Sequence, residues 1–120
     1  MSLTDNACSI VPYFTVQEGK LDEFKALGEQ MVEKTMNESE VIHYGFSFNG
    51  HRAHCREAYS SAAGLLAHLE NVDTLLKQAL GIASLDFLEI HGPAAELEKL
   101  KEPLSDLNPT YFAMETGFRR

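Results

Sequence analysis

The amino-acid sequence predicts a single α+β domain in which helices cover one face of an antiparallel sheet. Segments rich in β-branched and aromatic residues at 10–16, 41–59 and 85–91 indicate strands. Segments with apolar residues at helical spacing at 21–36 and 62–80 indicate helices. The resulting order, β-α-β-β-α-β, is that of the split βαβ, or ferredoxin-like, fold. A chain of 120 residues is long enough for one such core.

The first strand and helix are predicted from composition and period. Residues 10–16 (IVPYFTV) include Pro12, which has no N–H to give to a neighbouring strand, so we expect an edge position or a bulge there. Residues 17–20 form a turn. Apolar side chains then recur at helical spacing from Leu21 to Met36, with charged residues opposite them.

Residues 41–59 predict a β-hairpin that turns at Asn49-Gly50, because both residues tolerate the positive φ angles of a type I′ turn. This turn would place Tyr44 opposite Cys55 and Ile42 opposite Glu57. One face would then carry Ile42, Tyr44, Phe46, Phe48, Ala53, Cys55, Glu57 and Tyr59. The other would carry Val41, His43, Gly45, Ser47, Arg52, His54, Arg56 and Ala58.

The first of these faces is apolar, and Glu57 is its one formal charge, so we expect helices to pack on it. A three-residue loop through His51 would instead shift the register by one residue and move Glu57 to the opposite face.

The second half of the chain predicts shorter elements. Ser60-Ser61 is a helix N-cap for residues 62–70, which a break at 71–73 separates from a short helix at 74–80. A strand at 85–91, a helix at 94–101 and a strand or arm at 110–118 complete the order. We expect residues 10–92 to form the core and 93–120 to add a helix and an arm that helps to build a dimer.

Charge and composition limit the classes of partner. The formal net charge of −8 argues against nucleic acid and against an anionic membrane surface. The sequence shows neither an apolar run of spanning length nor, in residues 1–9, the pattern of a signal peptide. Cys8 and Cys55 form no disulfide framework or zinc spacing, so we expect a cytoplasmic protein without metal or other cofactor.

Four short segments carry a resemblance to a known family. They are Glu18-Gly19-Lys20 with the following LDEFKAL, Ile42-His43-Tyr44, Glu57-Ala58-Tyr59-Ser60-Ser61, and Ala67-His68-Leu69. In their order and spacing the chain resembles the antibiotic biosynthesis monooxygenase family over residues 10–92. These dimeric α/β-barrel proteins include small cofactor-independent quinol monooxygenases. The chain has no tryptophan, so Tyr59 takes the family's aromatic position.

The resemblance implies a homodimeric oxidoreductase that oxygenates a small aromatic or quinol-type molecule without a cofactor. Glu57, on an apolar face, is the candidate base, and His68 is the candidate hydrogen-bond donor or proton shuttle. Tyr44, Tyr59 and Phe46 are candidate substrate-binding residues. His43 is a further candidate, because with His54 and two arginines it could stabilise an anionic ligand.

Other interpretations remain open at this point. Glu57 could cap a helix or pair with a basic side chain, His68 could be a half-buried histidine bonded to backbone, and His43 could belong to a polar interface. The protein would then be a non-catalytic ligand-binding or stress-related dimer of the same superfamily. A third interpretation is a haem-binding or haem-degrading protein with His68 as axial ligand.

Overall fold

A five-stranded sheet forms the centre of the computed structural model, which describes residues 4–120. The strands are β1 (Cys8–Val16), β2 (Val41–Asn49), β3 (Arg52–Tyr59), β4 (Ala83–Gly92) and β5 (Thr110–Ala113). The α-helices are α1 (Leu21–Thr35), α2 (Ala62–Asn71), α3 (Asp73–Leu80) and α4 (Ala94–Lys101). The spatial order is β2-β3-β1-β4-β5, antiparallel except for the parallel pair β4–β5. The predicted α+β, ferredoxin-like fold is therefore confirmed.

The helices bury the apolar face of the sheet in two clusters of side chains. One lies under α2 and α4 and contains Leu65, Ile90 and Leu100. The other lies under α1 and α3 and contains Phe24 and Met31. Among the described residues, no helix is long and apolar enough to cross a membrane.

The β2–β3 hairpin has a different register from the predicted one. Tyr44 pairs with Glu57 and Phe46 with Cys55, so the turn residues are Gly50 and His51. The prediction rests on the turn residues alone, whereas β1 also contacts the turn: the Val16 N–H donates to the His51 carbonyl at 2.8 Å. Since the shift is two residues, the predicted faces survive from His43 onward and Glu57 still points into the core. Val41 was predicted on the second face, but it pairs with Tyr59 and packs on the core.

Ile42 is the exception on the predicted apolar face. The β2–β3 pairing shifts between Val41 and His43, which turns Ile42 outward and leaves it 40% exposed. It therefore does not oppose Glu57, as the regular alternation had predicted. A bulge of this kind is invisible to a period-two pattern, because it depends on how the two strands pair.

Pro12 lies in a central strand rather than at an edge, and it disturbs the sheet as expected. The β1–β3 pairing runs from Ile10–Glu57 to Tyr13–His54 and skips Pro12, which has no N–H to donate. The β1–β4 pairing also shifts its register between Tyr13 and Phe14.

The chain between the helices follows the predicted breaks. Ser61 is the N-cap of α2, with its Oγ accepting from the Gly64 N–H at 3.1 Å. Glu96 of α4 accepts from the Ala62 N–H at 2.9 Å, so α4 also stabilises the start of α2. The helical segment is interrupted at Val72, as the sequence predicts.

The C-terminal strand is shorter than the predicted 110–118. It stops at Ala113, because its partner β4 ends at Gly92 and Pro93 follows. The Met114 N–H still donates to the Gly92 carbonyl at 2.8 Å, after which the chain leaves the sheet.

Candidate acid–base site

The candidate site lies between the sheet and α2. Glu57 comes from β3, where the strand alternation points its carboxyl group into the core, and only 5% of the residue is exposed. His68 lies on the buried side of α2 and is 1% exposed. The two side chains that the sequence predicted as catalytic therefore meet inside the protein.

Glu57 has two close polar contacts on the same carboxyl oxygen. Its Oε1 lies 3.3 Å from Nε2 of His68 and accepts a hydrogen bond of 2.5 Å from the Tyr59 hydroxyl. Oε2 takes part in neither contact. Tyr59 is itself fully buried, with its ring centre 5.0 Å from that of His68, so it holds both groups in place.

A second carboxyl group contacts the other side of the imidazole. Glu38, in the segment after α1, lies 2.9 Å from His68 through Oε2 and Nδ1. Asn71 donates to the same oxygen at 2.9 Å and also to the Lys34 carbonyl at 3.2 Å. Oε1 of Glu38 is buried and has no hydrogen-bond partner within residues 4–120.

These contacts indicate how protons are arranged on His68. A carboxylate can only accept hydrogen bonds, so ionised Glu38 favours a proton on Nδ1. Neutral His68 then turns the lone pair of Nε2 toward Glu57. The geometry is that of a base oriented by a third group, with the base in contact with an acid.

Burial has opposite effects on the two central groups. It raises the pKa of Glu57 to about 7, although hydrogen bonds from Tyr59 and Cys55 partly oppose the shift. It lowers the pKa of His68 from its ordinary value, against the hydrogen bond and charge of Glu38. Burial thus favours the neutral form of both groups, and their contact gives a path along which a proton can pass between them.

A small cavity of about 50 Å³ adjoins this pair. Glu57 and His68 line it together with Tyr44 and Phe46 of β2, and apolar side chains, among them leucines of α2, α3 and β4, form the remaining wall. Burial raises the pKa of Tyr44, so its hydroxyl remains a hydrogen-bond donor at neutral pH. The cavity has room for a few water molecules or for one end of an apolar ligand.

The structure brings five of the six predicted site residues together. Glu57, His68, Tyr44 and Phe46 line the cavity, and Tyr59 lies behind Glu57 without lining it. His43 lies apart, on the other face of the sheet beside Arg56. Within residues 4–120, no group of three or more His, Cys, Asp or Glu side chains is arranged to hold a metal ion.

Glu38 and Asn71 were missed by the sequence interpretation. Glu38 lies in a polar segment whose sequence predicts only a connection between α1 and β2. Asn71 carries a weak signal, because it follows His68 by three residues and so shares its side of α2. Only the packing of the α1 end against α2 shows that Glu38 reaches the imidazole and that Asn71 donates to Glu38.

Comparison with known proteins places the fold of this chain in a wider group. No protein-family model matches the chain, and no curated protein does so significantly. Among solved structures, MupZ from Pseudomonas fluorescens is 45% identical, with a TM-score of 0.91 over 97% of this chain and 96% of that one.

More distant structures share the fold. A candidate antibiotic biosynthesis monooxygenase from Nitrosomonas europaea has a TM-score of 0.67 and 17% identity over 78% of this chain and 96% of its own. A further structure described as an antibiotic biosynthesis monooxygenase has a TM-score of 0.61 and 17% identity over 69% and 92% of the two chains. MupZ, a relative along nearly the whole length of both chains, shows that this chain belongs to the MupZ family, and the fold of the chain is that of the antibiotic biosynthesis monooxygenase structures.

Proposed function

We propose that this protein is an acid–base enzyme that oxygenates a small aromatic or quinol-type molecule without a metal or organic cofactor. The observation that carries the proposal is the contact between Glu57 and His68 at the wall of an apolar cavity. Such a site can remove a proton from a phenolic hydroxyl and hold the resulting anion away from water.

The first step is proton removal. Ionised Glu57 accepts the hydroxyl proton of the substrate, and His68 stands next to it to receive that proton on Nε2. The Tyr44 hydroxyl, which stays protonated and belongs to a residue that lines the cavity, donates to the substrate oxyanion in this proposal. Phe46 and the leucines exclude water, which strengthens these electrostatic interactions.

Oxygen transfer then follows from the chemistry of the anion. The electron-rich substrate reduces O2 and forms a carbon–oxygen bond at a carbon that bears hydrogen. Protonation of the resulting peroxide and loss of water leave one oxygen atom on the product and one in water. The protein supplies the base, the returning proton and a dry site, and the substrate supplies the electrons.

The same pair supports a second candidate function that uses no O2. The cavity adjoins a carboxylic acid and an imidazole base and has room for water, which suits acid–base addition of water to an apolar substrate. In that reaction His68, oriented by Glu38, takes a proton from water as the water oxygen bonds to a substrate carbon. Protonated Glu57 gives its proton to the substrate oxygen whose bond to that carbon breaks.

An oxygen-isotope experiment tests the proposal. Purified protein is supplied with a panel of quinols and anthrone-like phenols under 18O2, and in parallel in H2 18O under ordinary air. Oxygenation predicts O2 consumption and label from 18O2 in the product, both lost in Glu57→Gln. Label from water without O2 consumption would favour the second candidate. Binding without turnover would indicate a ligand-binding protein and refute both.

We also propose that the protein acts as a homodimer, joined through the open face of its sheet. This face carries Tyr13, His43, Arg52, His54, Arg56 and Phe87. Phe87 is 45% exposed there, a large apolar side chain that a second copy would cover.

Unpaired positive charge supports the same interface. The ion pairs within residues 4–120 use lysine and histidine, and none uses an arginine, although the chain has 18 acidic residues. Arg56, Arg119 and Arg120 line one groove at the end of this face, and Arg52 lines another. Carboxylates of a second copy would pair with them.

A further inference from the structure

We propose that Glu38 is the outer end of a proton relay that runs from Glu57 through His68 to solvent. Nothing in the family resemblance points to this residue. The catalytic use of the relay rests on the proposed function, whereas its electrostatic coupling can be measured on the protein alone.

The first argument is the unbroken line of contacts. Glu57 Oε1 is 3.3 Å from His68 Nε2, and His68 Nδ1 is 2.9 Å from Glu38 Oε2. Both ring nitrogens of His68 are therefore engaged by carboxyl groups on opposite sides. A proton arriving at one nitrogen can be matched by release of a proton from the other.

The second argument is the gradient of exposure along this line. The side chains of Glu57 and His68 are 5% and 2% exposed, and that of Glu38 is 12% exposed. Because Glu57 is buried, a proton that it takes from a substrate in the cavity cannot pass directly to bulk water. Of the three groups, Glu38 is the one best placed to exchange it with solvent.

The carboxyl group of Glu38 is also oriented by a hydrogen bond toward His68. Asn71 donates to Oε2, the oxygen that contacts His68. Oε1 is buried without a hydrogen-bond partner among residues 4–120, an arrangement that costs stability. Oε2 is therefore the oxygen that receives the proton leaving Nδ1 of the imidazole, while Oε1 keeps its lone pairs free.

The transfer balances without any oxidant. A proton moves from Glu57 to Nε2 of His68 while the proton on Nδ1 moves to Glu38, which leaves a neutral imidazole in its other tautomer. Glu38 then gives its proton to water. The reverse transfer restores the first tautomer and returns a proton to the cavity, where the peroxide requires one.

The charge of Glu38 also affects the pKa values of both Glu57 and His68. Its negative charge raises the pKa of Glu57 and, together with its hydrogen bond, raises the pKa of His68. Glu38→Gln should therefore lower both pKa values. Loosened packing would act differently, because relief of burial lowers the pKa of Glu57 but raises that of His68.

Nuclear magnetic resonance titration distinguishes these outcomes. The imidazole nitrogens of His68 and the carboxyl carbon of Glu57 are followed with pH in wild type and in Glu38→Gln. The matched control is Glu40→Gln, in the same segment, because Glu40 contacts Ser60 and Ser61 and lies outside the relay. We expect both pKa values to fall in Glu38→Gln and to stay in place in the control. A rise for His68, or no change at either group, would overturn the relay.

Steady-state kinetics provide a second test of the proton relay. For any substrate that the wild type turns over, Glu38→Ala should lower kcat by about 10²-fold with little change in KM, because proton transfer and not binding is impaired. Added formate, a small diffusible carboxylate, should restore part of kcat in Glu38→Ala but not in Glu57→Ala. Unchanged kcat in Glu38→Ala would exclude the relay. If the wild type has no turnover, the proposed function fails, and the titration alone decides whether Glu38 is coupled to the pair.

Discussion

Glu57 and Tyr59, two residues apart on β3, are joined by a hydrogen bond from the tyrosine hydroxyl to the carboxyl oxygen that also contacts His68. Regular alternation puts residues i and i+2 on the same face of a strand, so both side chains point into the core. Tyr59 thus stabilises the charged form of a carboxyl group that burial would otherwise keep neutral.

The first prediction concerns the Tyr59 hydroxyl. Tyr59→Phe removes the donor and keeps the ring, so the pKa of Glu57 should rise above its present value of about 7. If ionised Glu57 is the base, the rising limb of the pH–rate profile should move to higher pH by the same amount. Carboxyl titration and kcat/KM profiles of the two proteins measure both shifts. Tyr44→Phe is the control for the Glu57 titration alone, because the Tyr44 hydroxyl contacts Met31 Sδ at 3.8 Å rather than Glu57. If the pKa of Glu57 were the same in Tyr59→Phe as in the wild type, the Tyr59 hydroxyl would not stabilise the carboxylate.

The second prediction concerns stability against pH. Glu57 titrates near 7 in the folded chain and at about 4.3 when unfolded, so the folded state binds the proton more tightly. Its contribution to stability is full below pH about 4 and falls as pH rises to about 7. The loss is of the order of 3 kcal/mol.

Glu57→Gln removes this titration and keeps the shape of the side chain. The variant should therefore lose less stability than the wild type between pH 4 and pH 7, while losing activity. Urea unfolding at several pH values measures the difference. Glu89→Gln, on the same sheet but only partly buried, is the control. Parallel stability curves for wild type and Glu57→Gln would contradict the raised pKa.

Much of the architecture could be predicted from the sequence because it depends on local patterns. The bounds of α4 and the Ser61 N-cap follow directly from helix formers and capping chemistry. The hairpin faces also survive an error in the turn, since a two-residue shift preserves the alternation. The predicted pairing register of β2 and β3 was wrong, because a hydrogen bond between Val16 of a distant strand and His51 helps to fix the turn.

Some residues of the candidate site could likewise be predicted from the sequence, and others could not. Glu57 could be found because it is a charge on an apolar strand face, and His68 because it lies on the inner side of an amphipathic helix. Glu38 could not, because it lies in a polar connection whose position depends on how α1 ends against α2. His43 shares a short motif with the site residues but lies on the opposite face, as strand alternation requires of a residue next to Tyr44.

The third prediction concerns the open face. If a second copy supplies carboxylates to the unpaired arginines, Arg56→Glu should weaken self-association about 10-fold or more, through loss of attraction and added repulsion. Lys77→Glu, an exposed residue of α3 that pairs with Asp73, is the control with the same charge change. Analytical ultracentrifugation measures both. A wild-type monomer at micromolar concentration, or equal effects of the two changes, would contradict the proposed interface.

The last prediction concerns the C-terminal segment, which the structure divides into two parts. Thr110–Ala113 is β5, where Tyr111 packs on the core beside α4, and residues 114–120 carry Arg119 and Arg120 to the open face. Deletion after Leu107 removes both parts and exposes the edge of β4, so the melting temperature should fall by several degrees. Deletion after Ala113 keeps β5, so it should leave the melting temperature nearly unchanged but weaken dimerisation. Calorimetry and ultracentrifugation separate the two effects, because the shorter deletion changes the proposed interface without changing the core. If the deletion after Leu107 left the melting temperature unchanged, β5 would contribute nothing to the fold.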